Sequence, residues 1–427
     1  MLGKHESNIH PLIRLMDTFT TITILVTISA LISFLNYRYV KLPGTIGIMV
    51  IAISLSIMIM IAGISFPRAH SFIAELSTNI DFTKALLDVM LAFLLFASAL
   101  HFDFEKLKEQ KLPVLILSTV GVIGSTTIFG FLFFWAAVWL GIEIPLMYCF
   151  LFGALISPTD PVAVLSILKK SKIPPSLETI IGGESLFNDG VGILLFVTLR
   201  EIVEDNGIEF SWAHSGHLFV QEVFGGILLG MVSGYICTLM VKKIDELQTI
   251  LMITIAMVMG IAVTGGLLHV SIPLAAVSAG LMLSSMTLGE SSNAAHLKEL
   301  LDKIWGLIDD LLNTILFVMI GLQVVIIPFF SHYWGISLLA ILFVIIARAV
   351  SIAVPTVLLN RSLNISYHKL GIIIWAGLRG GISVALALSL PDSNYKPLIV
   401  SASYLIVIFS IIVQGLTLNR VVNKLAN

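Results

Sequence analysis

Thirteen continuous apolar windows restrict this chain to a bundle of membrane-crossing helices. They cover residues 16–35, 44–65, 83–102, 113–138, 144–168, 176–203, 217–241, 249–269, 271–288, 304–329, 333–359, 368–390 and 396–418. Each is about the length that a helix needs to cross ~30 Å of hydrocarbon at ~1.5 Å per residue. Backbone polar groups in lipid must be satisfied internally, which leaves helices or closed barrels. Barrel strands alternate over segments of ~10 residues, whereas these windows are unbroken and far longer. Charge agrees with the reading. Only 12% of the residues are charged and 57% are hydrophobic, where a soluble domain has about a quarter charged. The expected fold is an all-α polytopic membrane protein of about 13 transmembrane helices.

The distribution of basic residues sets an expected orientation. With the N-terminus outside, sixteen of the 24 Lys and Arg fall in inner loops and the tail, and six fall outside. The remaining two, Arg348 and Arg379, lie inside the membrane. This bias favours an odd number of spans and a cytoplasmic C-terminus. The N-terminal residues carry mixed charge (Lys4, Glu6, Arg14, Asp17), so the first apolar run reads as an uncleaved span. Few residues follow the last span, and no cytosolic regulatory domain is expected. A net charge of −2 gives no hint of a nucleic-acid partner. Cys149 and Cys237 both lie in apolar segments, against a disulfide framework or a thiolate metal site. No phosphate loop or nucleotide fingerprint stands out, and no cofactor is expected.

Ionisable groups inside a membrane are functional candidates, because insertion disfavours them. One lies in S-P-T-D-P, residues 157–161. Pro158 and Pro161 deprive the carbonyls of Ala154 and Ser157 of helical donors. Ser157 and Asp160, which precede the prolines, are expected to turn extended. The prediction is a helix broken at mid-membrane, with freed oxygens beside a hydroxyl and a carboxylate. Such discontinuous helices build midplane ion sites in secondary transporters. The plainer alternative is a proline kink, with Asp160 capping the following half-helix.

A second cluster is G-G-E-S-L-F-N-D-G, residues 182–190. Glu184 and Asn188 are one helical turn apart on one face. Asp189 is rotated about 100° from Asn188, so the helix can offer Asp189 to a site and Glu184 to another partner. Oxygen-only side chains suit a hard cation rather than a transition metal. The alternative is a polar contact between helices. Two arginines complete the set. Arg348 needs a carboxylate, for which Glu184 is the preferred partner. Arg379, among Gly377, Gly380 and Gly381, sits where a helix can break and expose carbonyl ends for it to neutralise. Asp88 reads as a rim residue, Asp309 and Asp310 as a solvated entrance, and His269 as a span end. Gly225–Gly226 and Gly265–Gly266 read as close helix contacts.

Together, T-D-P, G-E-S-L-F-N-D and G-L-R-G-G resemble the monovalent cation/proton antiporter-1 family of sodium/proton exchangers, most of all its bacterial and archaeal branch. The similarity extends through F-A-S-A-L-H-F-D (96–103) and L-L-N-T-I-L-F-V-M-I-G-L (311–322). The resemblance implies one exchanger-type transmembrane domain over residues 1–427. Its inverted six-helix repeats would cover about 16–203 and 249–418, with discontinuous crossing helices and a linking helix at about 217–241. It also implies a homodimer. Carried over by position, Asp189 would bind either cation or proton, with Asn188 before it. Thr159, Asp160 and Ser185 would line or support the site, so that Na⁺ meets Asp189, Asp160, Thr159 and Ser185. Glu184 would pair with Arg348, and Arg379 would steady the crossing of the broken helices. Many relatives have an acid where this chain has Ala97.

The implied function is exchange of a monovalent cation, foremost Na⁺ with Li⁺ and K⁺ as alternatives, for H⁺ across a bacterial or archaeal plasma membrane. Such exchange would serve pH and sodium homeostasis. Burial favours the neutral acid and a nearby cation favours the carboxylate, so the two compete for Asp189. A single mobile carboxylate, with Asn188 beside it, implies one proton per cation and an electroneutral cycle. A potassium/proton antiporter of the same family is the nearest alternative. A cation channel could use the same oxygen-lined break but would pass current without a pH gradient. An intramembrane hydrolase built on Ser185 and Asp189 lacks a histidine in the central spans.

Overall fold

The computed structural model describes residues 18–62, 90–160, 164, 173–204, 212–244, 246–286, 292–323, 333–359, 363 and 365–425, as helices and their connections. Eight helical stretches among the described residues are long and apolar enough to cross a membrane, and four shorter apolar helices accompany them. Each of the thirteen windows contains helix. Asp88, Pro161 and the basic residues Lys4, Arg14, Arg68, Lys84, Lys169, Lys170, Lys172 and Arg361 lie outside the described residues.

The chain divides into two compact units. The first contains α1 (Thr18–Leu35), a π-turn (Asn36–Val40), α2 (Gly44–Ala62) and residues 314–326. The turn between α1 and α2 is tied by Asn36, whose amide donates to the Leu42 carbonyl at 3.2 Å and accepts from the Leu42 N–H at 3.3 Å. Within the same unit, Ser56 Oγ donates to the Gly321 carbonyl at 2.7 Å.

The second unit holds the rest. Its helices are α3 (Leu91–His101), α4 (Phe104–Glu109), α5 (Lys111–Trp139), α6 (Leu146–Ile156), α7 (Pro175–Glu204), α8 (Trp212–Val241), α9 (Leu247–Leu268) and α10 (Ile272–Met286). Helix α11 (Ser292–Gln323) belongs to it as far as Asn313. Then come α12 (Trp334–Leu358), α13 (Tyr367–Trp375), α14 (Gly381–Leu388), α15 (Lys396–Phe409), a second π-turn (Ser410–Gln414) and α16 (Gly415–Leu425).

Small residues set the closest helix contacts, as they do in lipid, where packing rather than water exclusion drives association. Helix α8 lies against α10 through Gly230 and Gly234, and against Ser271 just before it through Gly226. A Cβ at Gly230 would stand 2.8 Å from Ser278 Cβ, and one at Gly234 would stand 3.0 Å from Ala279 Cα. Residues 249–288 are divided where expected. His269 takes a left-handed conformation (φ 51°) after α9, and Ser271 N–H donates to the Glu222 carbonyl at 3.1 Å before α10 begins.

Two boundaries differ from expectation. Helix α11 starts at Ser292, well before the apolar window that opens at 304, because its polar first turns form helix without needing lipid. Lys303 and Glu299 pair there at 2.7 Å. At the other end, the last helix continues past residue 418 to Leu425 with the π-turn inserted in its course.

Candidate functional site

The two expected helix breaks are both present. Helix α6 stops at Ile156 with Ser157 as its cap, and Pro158–Asp160 run on without helical structure. Ser157, expected to turn extended before Pro158, instead keeps helical dihedrals (φ −72°, ψ −34°). Its N–H still reaches the Gly153 carbonyl at 3.0 Å and its hydroxyl donates to the same oxygen at 2.7 Å. Those two bonds outweigh the bias of the following proline, and the chain leaves the helix one residue later. The second break separates α13 from α14 at residues 376–380, among the glycines.

These breaks meet backbone to backbone. Asp160 N–H donates to the Leu378 carbonyl at 2.7 Å. The Arg379 guanidinium donates through Nη1 to the Ser157 carbonyl and to the Pro158 carbonyl, the latter at 3.0 Å. Each break exposes polar backbone that cannot find water in lipid, and each supplies the other with a partner. Gly380 is the contact that makes this approach fit: a Cβ there would lie 2.6 Å from Asp160 Oδ2. The Asp160 carboxylate therefore stands at the start of α14, where unpaired N–H groups favour negative charge.

Helix α7 brings the remaining groups, and packs on both α5 and α6. Its Gly192 accepts Pro158 at short range, so that a Cβ would stand 3.0 Å from Pro158 Cδ. Glu184, Ser185, Asn188 and Asp189 are all buried on it. Asn188 ties the helix to the first break. Its amide oxygen accepts from Thr159 N–H at 3.2 Å, and its NH₂ donates to Thr159 Oγ1 at 2.6 Å and to Glu184 Oε1 at 2.9 Å. Thr159 and Ser185 share a hydroxyl–hydroxyl bond of 2.8 Å.

Glu184 in turn is held by Arg348 of α12. Both guanidinium prongs reach the carboxylate, Nη1 to Oε1 and Nη2 to Oε2, each at 2.8 Å. Arg348 Nη2 also donates to the Ile373 carbonyl at 3.4 Å, and its Nε packs where a Cβ on Gly377 would stand, 2.7 Å away. Glu184 is thus committed to structure, its charge matched at short range.

Asp189 differs. It is 1% exposed, and its Oδ2 has no hydrogen-bond partner among the described residues. The neighbouring carboxylates whose charge it feels are Asp160 and Glu184. Asp160 is only partly buried and has interactions of its own. The structure thus joins Thr159, Ser185, Asn188, Glu184 and Arg348 in one buried network, holds Asp160 and Arg379 at the crossing of the breaks, and sets Asp189 beside Asn188 on α7. Asp309 accepts from Asn313 Nδ2 at 3.0 Å, and Asp310 is exposed.

Sequence reasoning missed several participants. Pro158 serves through its carbonyl, which no side-chain pattern reveals, whereas the Ser157 carbonyl is one that the prolines were expected to free. Gly192 matters only because of what faces it, and Gly380, expected as part of a helix break, also makes room for Asp160. Ser410, whose Oγ accepts from Arg379 N–H at 2.8 Å, is one serine among many in an apolar helix.

The comparisons with known proteins agree with one another. The family described as "Sodium/hydrogen exchanger, transmembrane" matches residues 24–424. The chain is 37% identical over 405 residues to the Na(+)/H(+) antiporter NhaP of Pseudomonas aeruginosa, covering 94% of this chain and 95% of that protein. It is 30% identical over 413 residues to the Na(+)/H(+) antiporter NhaH of Halobacillus dabanensis, covering 96% and 98%. Among solved structures it is similar to the sodium proton antiporter MjNhaP1 of Methanocaldococcus jannaschii at pH 8, with a TM-score of 0.74. That alignment covers 95% of this chain and 99% of the other at 17% identity, a likeness of fold.

Proposed function

The chain belongs to the sodium/hydrogen exchanger family, and on that premise we propose that it exchanges Na⁺ for H⁺ with Asp189 as the group that carries either ion. The observation that carries this reading is the Asp189 carboxylate, almost wholly buried with Oδ2 lacking a protein partner among the described residues. An uncompensated buried charge is strongly unfavourable. Asp189 can therefore rest as the neutral acid or as a carboxylate against a cation, and the empty charged form is the costly one. Proton and cation exclude each other from one site, which is the requirement for coupled exchange.

The neighbours divide the work. Thr159, Ser185 and Asp160 supply oxygen near Asp189, a donor set suited to a hard cation. Asn188 holds Thr159 against α7, while Glu184 and Arg348 cancel each other and leave Asp189 as the titrating acid. Arg379 holds the first break against the second. One working carboxylate gives one proton per cation and no net charge moved. Alternating access would move the bundle that bears the two breaks against the remaining helices. The N-terminus lies outside, the C-terminus lies in the cytoplasm, and two copies form the working unit.

The test is Asp189→Asn in proteoliposomes loaded with a pH-sensitive dye. An amide cannot alternate between acid and carboxylate, so sodium-driven collapse of the pH gradient should disappear. Exchange at the normal rate by this variant would overturn the assignment. Titrating the wild-type protein separately with sodium, lithium and potassium identifies the cation.

A further inference from the structure

The break between α13 and α14 leaves backbone donors outside any helix ladder, and one of them is answered from a distant segment. Arg379 N–H donates to Ser410 Oγ at 2.8 Å. Ser410 in turn donates to Gln414 Oε1 at 2.7 Å. Both side chains are buried, and both belong to the π-turn Ser410–Gln414. π-Turns inside helices are rare and recur at functional positions, because the wider turn re-aims the residues that it contains.

The direction of these bonds matters. The Gln414 carbonyl takes the Ser410 proton, which leaves the Ser410 oxygen lone pairs for Arg379 N–H. The same Arg379 sends its side chain to the Ser157 and Pro158 carbonyls, immediately before Thr159 and Asp160. Arg379 Nε and Nη2 have no hydrogen-bond partner among the described residues. Its placement therefore depends on the Nη1 contacts and on the backbone anchor. On α15, which leads into this π-turn, Ser403 is equally buried with no partner for its hydroxyl among the described residues. A buried serine in this helix is thus not bonded by default.

We propose that Ser410 and Gln414 are positioning residues for the cation site: they fix the Arg379 backbone, and through it the Ser157–Asp160 segment that presents Thr159 and Asp160 to the ion. This inference rests on the cation-exchange reading above. Its effect should fall on how well the site holds a cation, since the reacting carboxylate itself is untouched.

The experiment compares Ser410→Ala, Ser410→Thr, Gln414→Leu and Ser403→Ala with the wild-type protein in proteoliposomes. The readouts are the half-saturating sodium concentration, the maximal rate, and the rise in melting temperature of the purified protein on adding sodium. Losing one neutral buried bond corresponds to about a five-fold weaker hold. Ser410→Ala should raise half-saturating sodium by about that factor and reduce the sodium-induced melting shift. Gln414→Leu should do the same to a smaller degree, because it acts through the serine. Ser410→Thr, which keeps the hydroxyl, and Ser403→Ala should both match wild type. Wild-type sodium affinity in Ser410→Ala and Gln414→Leu overturns the proposal. So does a loss of stability and rate alone, with half-saturation unchanged. Should Ser410→Ala not fold, Gln414→Leu decides. Failure of the exchange reading shows separately, as absent sodium-dependent proton movement in the wild-type protein.

Discussion

Glu184 and Arg348, 164 positions apart in the chain, meet as a two-pronged ion pair with both N···O distances at 2.8 Å. Neither is reachable by water to any extent, at 0% and 5% exposure. A buried pair adds little net stability, yet breaking it by removing one partner costs about 3–5 kcal/mol, because the other charge is stranded. The pair is therefore a lock between α7 and α12 rather than a source of stability.

Arg348→Met and Glu184→Gln should each lower the stability of the purified protein by about that amount. The double variant should be more stable than either single one. A double-mutant cycle on melting in detergent measures the coupling, and additive losses would show that the two do not depend on each other.

Gly380 permits the approach of the two breaks. Alanine there places a Cβ 2.6 Å from Asp160 Oδ2 and 2.7 Å from Asp160 Cβ, distances that real contacts do not reach. Overpacking of this kind costs about 1–3 kcal/mol, and here it displaces a residue of the site. Gly380→Ala should lose most exchange activity even in protein that inserts and folds. Gly260→Ala, whose Cβ would meet nothing within 4 Å, is the matched control and should exchange as wild type.

Asn188 makes three hydrogen bonds, to Thr159 twice and to Glu184 once. Asn188→Ala leaves the Thr159 N–H without its acceptor in a dry interior, at a cost of about 1–3 kcal/mol. Half-saturating sodium should rise, while the Glu184–Arg348 pair keeps α7 tied to α12. A pH-dye assay across sodium concentrations separates this from loss of maximal rate.

Electroneutral exchange makes a further prediction. If Asp189 is the one working acid, as proposed, each cycle moves no net charge. An imposed potassium diffusion potential of either sign should leave the sodium-driven pH change unaltered. Acceleration by one polarity would mean more than one proton per cation.

The sequence by itself determined the all-helical membrane architecture, the positions of both helix breaks and the roster of buried charges. These are legible because they depend on local chemistry. Length and apolarity mark a span, proline and glycine end a helix wherever they stand, and a charge in lipid is conspicuous against its window. Asp160, Glu184, Asp189, Arg348 and Arg379 could be picked out for that reason. What only the tertiary structure decided was which group answers which. That Asp160 N–H pairs with Leu378, that Arg379 holds the Ser157 and Pro158 carbonyls rather than those of its own break, and that Ser410 anchors Arg379 are pairings across more than 30 positions. Backbone groups carry no residue-specific signal, and a serine or glycine acquires its role from the neighbour that packing brings to it. The spans follow from the preference of each segment for lipid; the site follows from unsatisfied groups that have no water to turn to and must find one another.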